Sequence, residues 1–147
     1  MAHVRQQIRT QMATLLTSGV ALVSSRVYNS RVYPLTEAKL PAITVYAGAE
    51  QSGLMTLGRK TLMRTLTVNV DVYARATANL DNDLDAICVQ VEEAIAADFS
   101  LNGLAKTTVL SGTEIDFSGE AEQPVGVARL NFSVVYSTDI DDVETAR

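Results

Sequence analysis

Side-chain chemistry needs a nucleophile, a base or a ligand set, and this chain has few of each. It carries one histidine, His3, and one cysteine, Cys88. A thiol nucleophile works with a base held beside it, but His3 stands almost at the chain start and Cys88 falls on the apolar side of a helical pattern. A small buried hydrophobe is the expectation for Cys88, and a lone cysteine excludes an intrachain disulfide framework or a cysteine-built zinc cluster. Asp139, Asp141 and Asp142 are oxygen donors, yet they lack the glycine and terminal glutamate of a calcium-binding loop. A solvated acidic tail is the simpler reading. Asp81, Asp83 and Asp85 stand two apart and diverge around a helix, so capping and solubility explain them. Gly48, Gly53 and Gly58 do not make a nucleotide fingerprint, and no phosphate loop with its lysine occurs. No carboxylate pair stands out for glycoside chemistry. The chain is therefore expected to have no catalytic residue, no cofactor and no metal, and not to be an enzyme.

Charge points elsewhere. The net charge is −5, but residues 1–60 hold seven basic and two acidic side chains while residues 61–147 hold five basic and fifteen acidic. Such segregation fits either a solvated surface or complementary patches that set register between repeated subunits. Basic residues are scattered with no arginine stripe among aromatics, so sequence-specific nucleic-acid recognition is not expected. No apolar run reaches the roughly 18 residues of a membrane span, and no signal-type segment follows Arg5 and Arg9. The expected setting is a cytosol, or a particle assembled there, with no membrane partner.

The elements that would position a binding surface are clearer than any site. Between Thr65 and Tyr73, Leu66, Val68, Val70 and Val72 alternate with Thr65, Thr67, Asn69 and Asp71, the period of a strand with one face on a core. It is long for a strand, so it belongs near the middle of an antiparallel sheet. A second alternation runs from Val127 to Tyr136, with Ala128, Leu130, Phe132, Val134 and Tyr136 set against Arg129, Asn131, Ser133 and Val135. Shorter strands are expected at Ser25–Tyr28, at Ala42–Ala47, and at Thr107–Phe117 with Val109, Thr113, Ile115 and Phe117 on one face and an irregularity near Gly112. Arg31–Pro34 reads as a further short extended piece, and 118–124 as an acidic turn. Val4, Ile8, Met12, Leu15 and Leu16 make residues 2–18 an amphipathic helix, stopped by Gly19 at C′. Arg5, poorly placed at a helix start, suggests an acidic partner. Residues 78–98 form the second helix, with Asn79 at its N-cap.

Together these give an α+β fold: a mainly antiparallel sheet of about four main strands with two amphipathic helices on one face, in a single domain over residues 1–147. The opposite face would present Thr65, Thr67, Asn69, Asp71, Arg129 and Asn131. Residues 48–60 read as a projecting loop with exposed-looking Leu54, Met55 and Leu57, either folded back on the sheet or ordered against a neighbouring subunit. Residues 138–147 read as a flexible acidic tail.

The order of these pieces resembles a known family. Leu-Pro-Ala-Ile-Thr-Val-Tyr at 40–46, Asp-Val-Tyr-Ala at 71–74, Leu-Asp-Asn-Asp-Leu-Asp at 80–85 and Pro-Val-Gly-Val-Ala-Arg-Leu-Asn-Phe-Ser-Val at 124–134 are similar to tail terminator proteins of long-tailed bacteriophages. The nearest likeness is to the minor tail protein U (tail completion) group. The resemblance implies a hexameric ring on the head-proximal end of the tail tube, which stops tube polymerisation and offers a surface to a head–tail connector. It implies a place at the head–tail junction of the virion, assembly in the host cytoplasm, and room for DNA to pass through the ring. Carried over by position, Arg59 and Lys60 become the charged residues of the projecting loop. Another connector or neck component is the alternative within virion assembly; a small cytosolic enzyme or binding domain is the alternative outside it.

Overall fold

The computed structural model describes residues 2–23, 26–29, 41–55, 58, 60–75, 79–118 and 125–147. Helix α1 (Val4–Gly19) is followed by a 3₁₀ turn (Ala21–Val23) and strands β1 (Val27–Tyr28), β2 (Ala42–Leu54) and β3 (Thr61–Arg75). Helix α2 (Leu80–Ala97) comes next, then β4 (Thr107–Ser118), β5 (Val125–Asp139) and β6 (Asp142–Ala146). The expected Arg31–Pro34 piece, the turn at 119–124, Ser25, Leu57 and Arg59 lie outside the described residues.

The strands form one sheet in the order β1-β2-β3-β5-β4, with β6 paired to β5. Among the described residues the strand count is thus six rather than about four, and β1 pairs with β2 in parallel while the other pairings are antiparallel. As its length suggested, β3 is central, flanked by β2 and β5. Its alternation works as the period-two rule requires: Leu66, Val68, Val70 and Val72 are fully buried and pair across with Val134, Phe132, Leu130 and Ala128. These side chains meet Val4, Ile8, Met12 and Leu16 of α1 and Leu84, Ile87, Val91 and Ile95 of α2 in one core. Both helices therefore cover the same sheet face.

One helix cap differs from the sequence reading and one matches it. Gly19 is the last helical residue of α1, and the cap is Val20, whose N–H bonds to the Leu16 carbonyl at 3.0 Å. A Cβ on Gly19 would stand 2.8 Å from the Ala94 Cβ; the missing side chain lets α1 approach α2. Asn79 does occupy the N-cap of α2, but without a side-chain capping bond.

Two β-bulges reset the inward–outward phase. In β2, Ala47 faces Val68 and Glu50 faces Leu66, so three steps on one strand match two on the other. In β4 the shift falls between Leu110 and Gly112. As a result Val109 pairs with Ser133 on the helix-free face, whereas Thr113 and Ile115 pair with Leu130 and Ala128 on the other. Val109 and Ile115 therefore do not share a face; one extra residue inverts every side chain beyond it. The side chain of Phe117 lies outside the described part.

Two segments expected as loop or tail are strand. β2 continues to Leu54 and β3 starts at Thr61, so residues 48–54 are strand, paired with β3 in the sheet. The acidic 138–147 segment ends β5 and folds back as β6, held by Arg147 N to the Ser137 carbonyl (2.8 Å) and an Arg147–Asp139 ion pair (3.0 Å). Arg147 and Thr61 supply the local partners that the charge pattern alone did not reveal, Thr61 donating to Asp139 at 3.2 Å.

Candidate functional site

The residues nearest to chemistry in sequence all have structural roles. His3 is the N-cap of α1, its Nδ1 accepting from the Arg5 N–H at 3.0 Å. Burial, and then the charge of Arg5, lower its pKa, so the neutral acceptor form is favoured. Cys88 is buried in the core, and burial pushes its thiol up to about 11, with Asp85 and Glu92 acting in the same direction. That is the reverse of thiol activation. Among the described residues no group of three or more His, Cys, Asp and Glu side chains is placed to hold a metal ion. Among them, too, no helix is long and apolar enough to cross a membrane.

The helix-free sheet face is organised around Asp71. Register pairs place Asp71 opposite Thr44 on β2 and Arg129 on β5. Asp71 is only 1% exposed although neither α1 nor α2 packs on this face. Its Oδ1 accepts from Arg129 Nε at 2.9 Å, and its Oδ2 from Arg129 Nη2 at 3.3 Å and from the Tyr46 hydroxyl at 2.9 Å. The Tyr73 hydroxyl reaches the same oxygen at 3.4 Å. Burial, the Asp71 bond and its charge push Tyr46 up to about 12, and burial and Asp71 raise Tyr73. The bond to Asp71 and its charge also raise Arg129, keeping the guanidinium protonated. Neither tyrosine is poised as a base. What remains is a fixed array of donors and aromatic edges around a shallow depression lined by Tyr46, Asn69, Tyr73 and Arg129.

The other face-lining residues differ in exposure. Thr65 and Arg129 are exposed, and Thr67, Asn69 and Asn131 are half-buried. Asp71 itself is the buried acceptor that fixes its neighbours. Tyr46 and Tyr73 are the missed members of the face. Tyr73 shares the odd-numbered phase of Asn69 and Asp71, and Tyr46 pairs with Asn69 across the strands, but a tyrosine in an apolar strand also reads as core.

A second polar cluster was hidden by the β2 bulge. It turns Glu50 to the helix-covered side, where it accepts from Arg5 Nη1 at 2.8 Å, from Arg64 Nη1 at 3.1 Å and from the Tyr136 hydroxyl. Arg64 Nε also donates to Thr138 Oγ1 at 3.0 Å. Glu50 is the acidic partner that the helix-start position of Arg5 suggested. Burial, then the Glu50 bond and charge, raise the Tyr136 pKa. The cluster joins the start of α1 to the base of the β2–β3 ribbon and to β5.

Beyond that base the ribbon ends in an exposed apolar tip. Leu54 is 51% and Met55 47% exposed, and Met55 N–H bonds to the Thr61 carbonyl at 3.1 Å. Lys60 is exposed beside them. This tip and the Asp71 array are on separate parts of the sheet: one at the ribbon end, the other on the central strands.

No curated protein matches the chain. The family model described as phage minor tail protein U matches it over residues 3–136, from the N-cap of α1 to the last core residue of β5. A match across 3–136 of 147 residues takes in both helices and strands β1 to β4, together with nearly all of β5. The likeness therefore rests on the whole sheet-and-helix frame rather than on a reactive site, and the chain belongs to the phage minor tail protein U family, with a structural role in the phage tail.

Proposed function

We propose that this protein closes into a ring, a hexamer, on the head-proximal end of the tail tube, where it stops polymerisation of the tube protein and presents a surface to the head–tail connector. The observation that carries the reading is the match to the minor tail protein U family across both helices and nearly the whole sheet. A preorganised helix-free sheet face supports it. Tyr46, Tyr73 and Arg129 are tied to the buried Asp71 carboxylate, so they meet a partner with little side-chain entropy left to lose. Tyrosine and arginine are also the residue types that dominate contact energetics when desolvated. Thr65, Thr67, Asn69 and Asn131 surround them as adaptable polar contacts. Met55, Leu54 and Lys60 form a second contact at the ribbon tip, and Leu57 and Arg59 accompany them in sequence.

In this account the work is done by association alone, without bond making or breaking. The test is tube length: purified tube protein is polymerised with and without this chain, and the products are measured by electron microscopy. Capping predicts that added protein arrests growth and decorates one end only. Unchanged lengths with bare ends would refute it.

A further inference from the structure

The β2–β3 pair carries an apolar projection at one end and an apolar groove at the other. The projection is Leu54 and Met55. The groove is lined by Leu22 of the 3₁₀ turn, by Pro41 just before β2, by Ala74 at the end of β3, and by Ala86 and Ile87 of α2, with Arg75 and Asp83 at its polar side. The 3₁₀ turn is tied to α2 beside it: the Leu22 N–H bonds to Gln90 Oε1 at 3.3 Å, which fixes Leu22 near α2 while leaving it 46% exposed. Leu22 at the groove and Leu54 and Met55 at the tip are each about half exposed, whereas Ala74 and Ile87 form the buried floor of the groove.

The chain cannot satisfy one with the other. The thirteen residues of β2 separate them by roughly 40 Å at about 3.3 Å per residue. A second copy can. The charges are opposite in sign: exposed Lys60 lies beside the tip, and exposed Asp83 lines the groove together with Arg75, with Asp81 and Asp85 also exposed in the first turns of α2. We propose that Leu54 and Met55 of one copy seat in the Leu22–Ala74–Ala86–Ile87 groove of the next, a head-to-tail contact between copies of this chain. Two unlike patches at opposite ends of a rigid strand pair make a heterologous interface, which closes into a ring when its rotation permits. The inference rests on the ring reading and names the contact that builds it. The length of the ribbon then has a purpose. β2 and β3 are stiff spacers, tied to α1 and β5 through Glu50, that carry the tip at the end of the sheet opposite the groove.

Two variants test it, Met55→Asp at the tip and Ala86→Trp in the groove, both at surface positions and both checked for native circular dichroism. The wild-type chain is brought to its assembled state first, with tube ends if these are needed. Each variant alone is expected to lose association by at least about tenfold, the effect of a desolvated contact residue. Mixed, they restore one interface: Met55→Asp retains a sound groove and Ala86→Trp a sound tip. The expected product is a one-to-one dimer that cannot grow. As a second readout, Met55→Cys and Ala86→Cys, in chains with Cys88→Ala, are expected to crosslink between copies under oxidation. Assembly of both variants at wild-type strength, or a mixture that stays monomeric with no crosslink, would overturn the contact while leaving the ring intact. If Ala86→Trp loses tube binding but not self-association, the groove receives the tube protein and the proposal is wrong. A wild-type chain that never assembles refutes the ring reading itself.

Discussion

Replacing Glu50 by alanine should be among the most destabilising single changes in this protein. The Glu50 and Arg64 side chains are 8% and 10% exposed, and their ion pair is 3.1 Å long. Without Glu50, the Arg64 guanidinium keeps only Thr138 Oγ1 as a described side-chain acceptor, and the fully buried Tyr136 hydroxyl loses its acceptor. Breaking a buried pair by removing one partner costs about 3–5 kcal/mol, because a charge is left without compensation. The Arg5 bond adds little, since Arg5 is 42% exposed and its pairing is screened. For a domain of this size, such a loss lowers Tm by on the order of 10–15 °C. The same physics predicts a rescue. Glu50→Leu combined with Arg64→Met removes both charges and should recover most of the loss, because an apolar pair avoids desolvating ions. The assay is urea unfolding followed by far-UV circular dichroism, since the chain has no tryptophan. A Glu50→Ala variant within about 1 kcal/mol of wild type, or a double variant no better than Glu50→Ala, would refute the reasoning.

Other contacts make predictions of their own. His3→Ala should cost about 1 kcal/mol through loss of the α1 cap, whereas His3→Asn should retain it. The folded pKa of His3 lies below its ordinary 6.5, so its contribution is complete above pH 6.5 and lost as pH falls through the lowered value; melts across that range should show this acid-side loss in wild type and not in His3→Asn. Gly19→Ala forces a Cβ to 2.8 Å from the Ala94 Cβ; overpacking of about 1–3 kcal/mol should exceed the gain in helix propensity, and Ala94→Gly in the same chain should relieve it, as read from a double-mutant cycle. At the alkaline end, Tyr46 has a folded pKa of about 12 against an ordinary 10.0. Its contribution is present below pH 10.0 and lost as pH rises toward about 12; denaturation midpoints over that window should fall less steeply in Tyr46→Phe.

The sequence revealed what repeats and concealed what interrupts. β3 and β5 were readable because Leu66 to Val72 and Ala128 to Val134 alternate without a break, but nothing in that alternation says that the two lie side by side, as they do. The helices were readable for the same reason at the helical period. A bulge, by contrast, is a single extra residue with no composition of its own. The one between Ala47 and Glu50 made ordinary ribbon look like loop and hid the inward turn of Glu50. The irregularity expected near Gly112 is the bulge after Leu110, but its effect on phase, which splits Val109 from Ile115, was not legible. β6 escaped notice because Asp139, Asp141, Asp142 and Glu144 read as solvated charge, while the contacts that hold the segment, Arg147 to Ser137 and Asp139 and Thr61 to Asp139, form only when the chain folds back.

At the sheet face, the polar phase from Thr65 to Asp71 and from Arg129 to Asn131 was legible as the side away from the core. Its internal hierarchy was not. Asp71 is buried, and Tyr46 and Tyr73 accompany Arg129 around it, because three strands bring together residues that are far apart in the chain. The groove containing Leu22, Ala74 and Ala86 had no sequence signature at all: each is an ordinary small or apolar residue until the 3₁₀ turn packs beside α2.

The measurement that bears most directly on the ring is the absolute mass of the purified protein in solution, with and without tail tube protein. A closed ring, formed alone or induced on tube ends, is the predicted result. A stable monomer that ignores tube ends would contradict it.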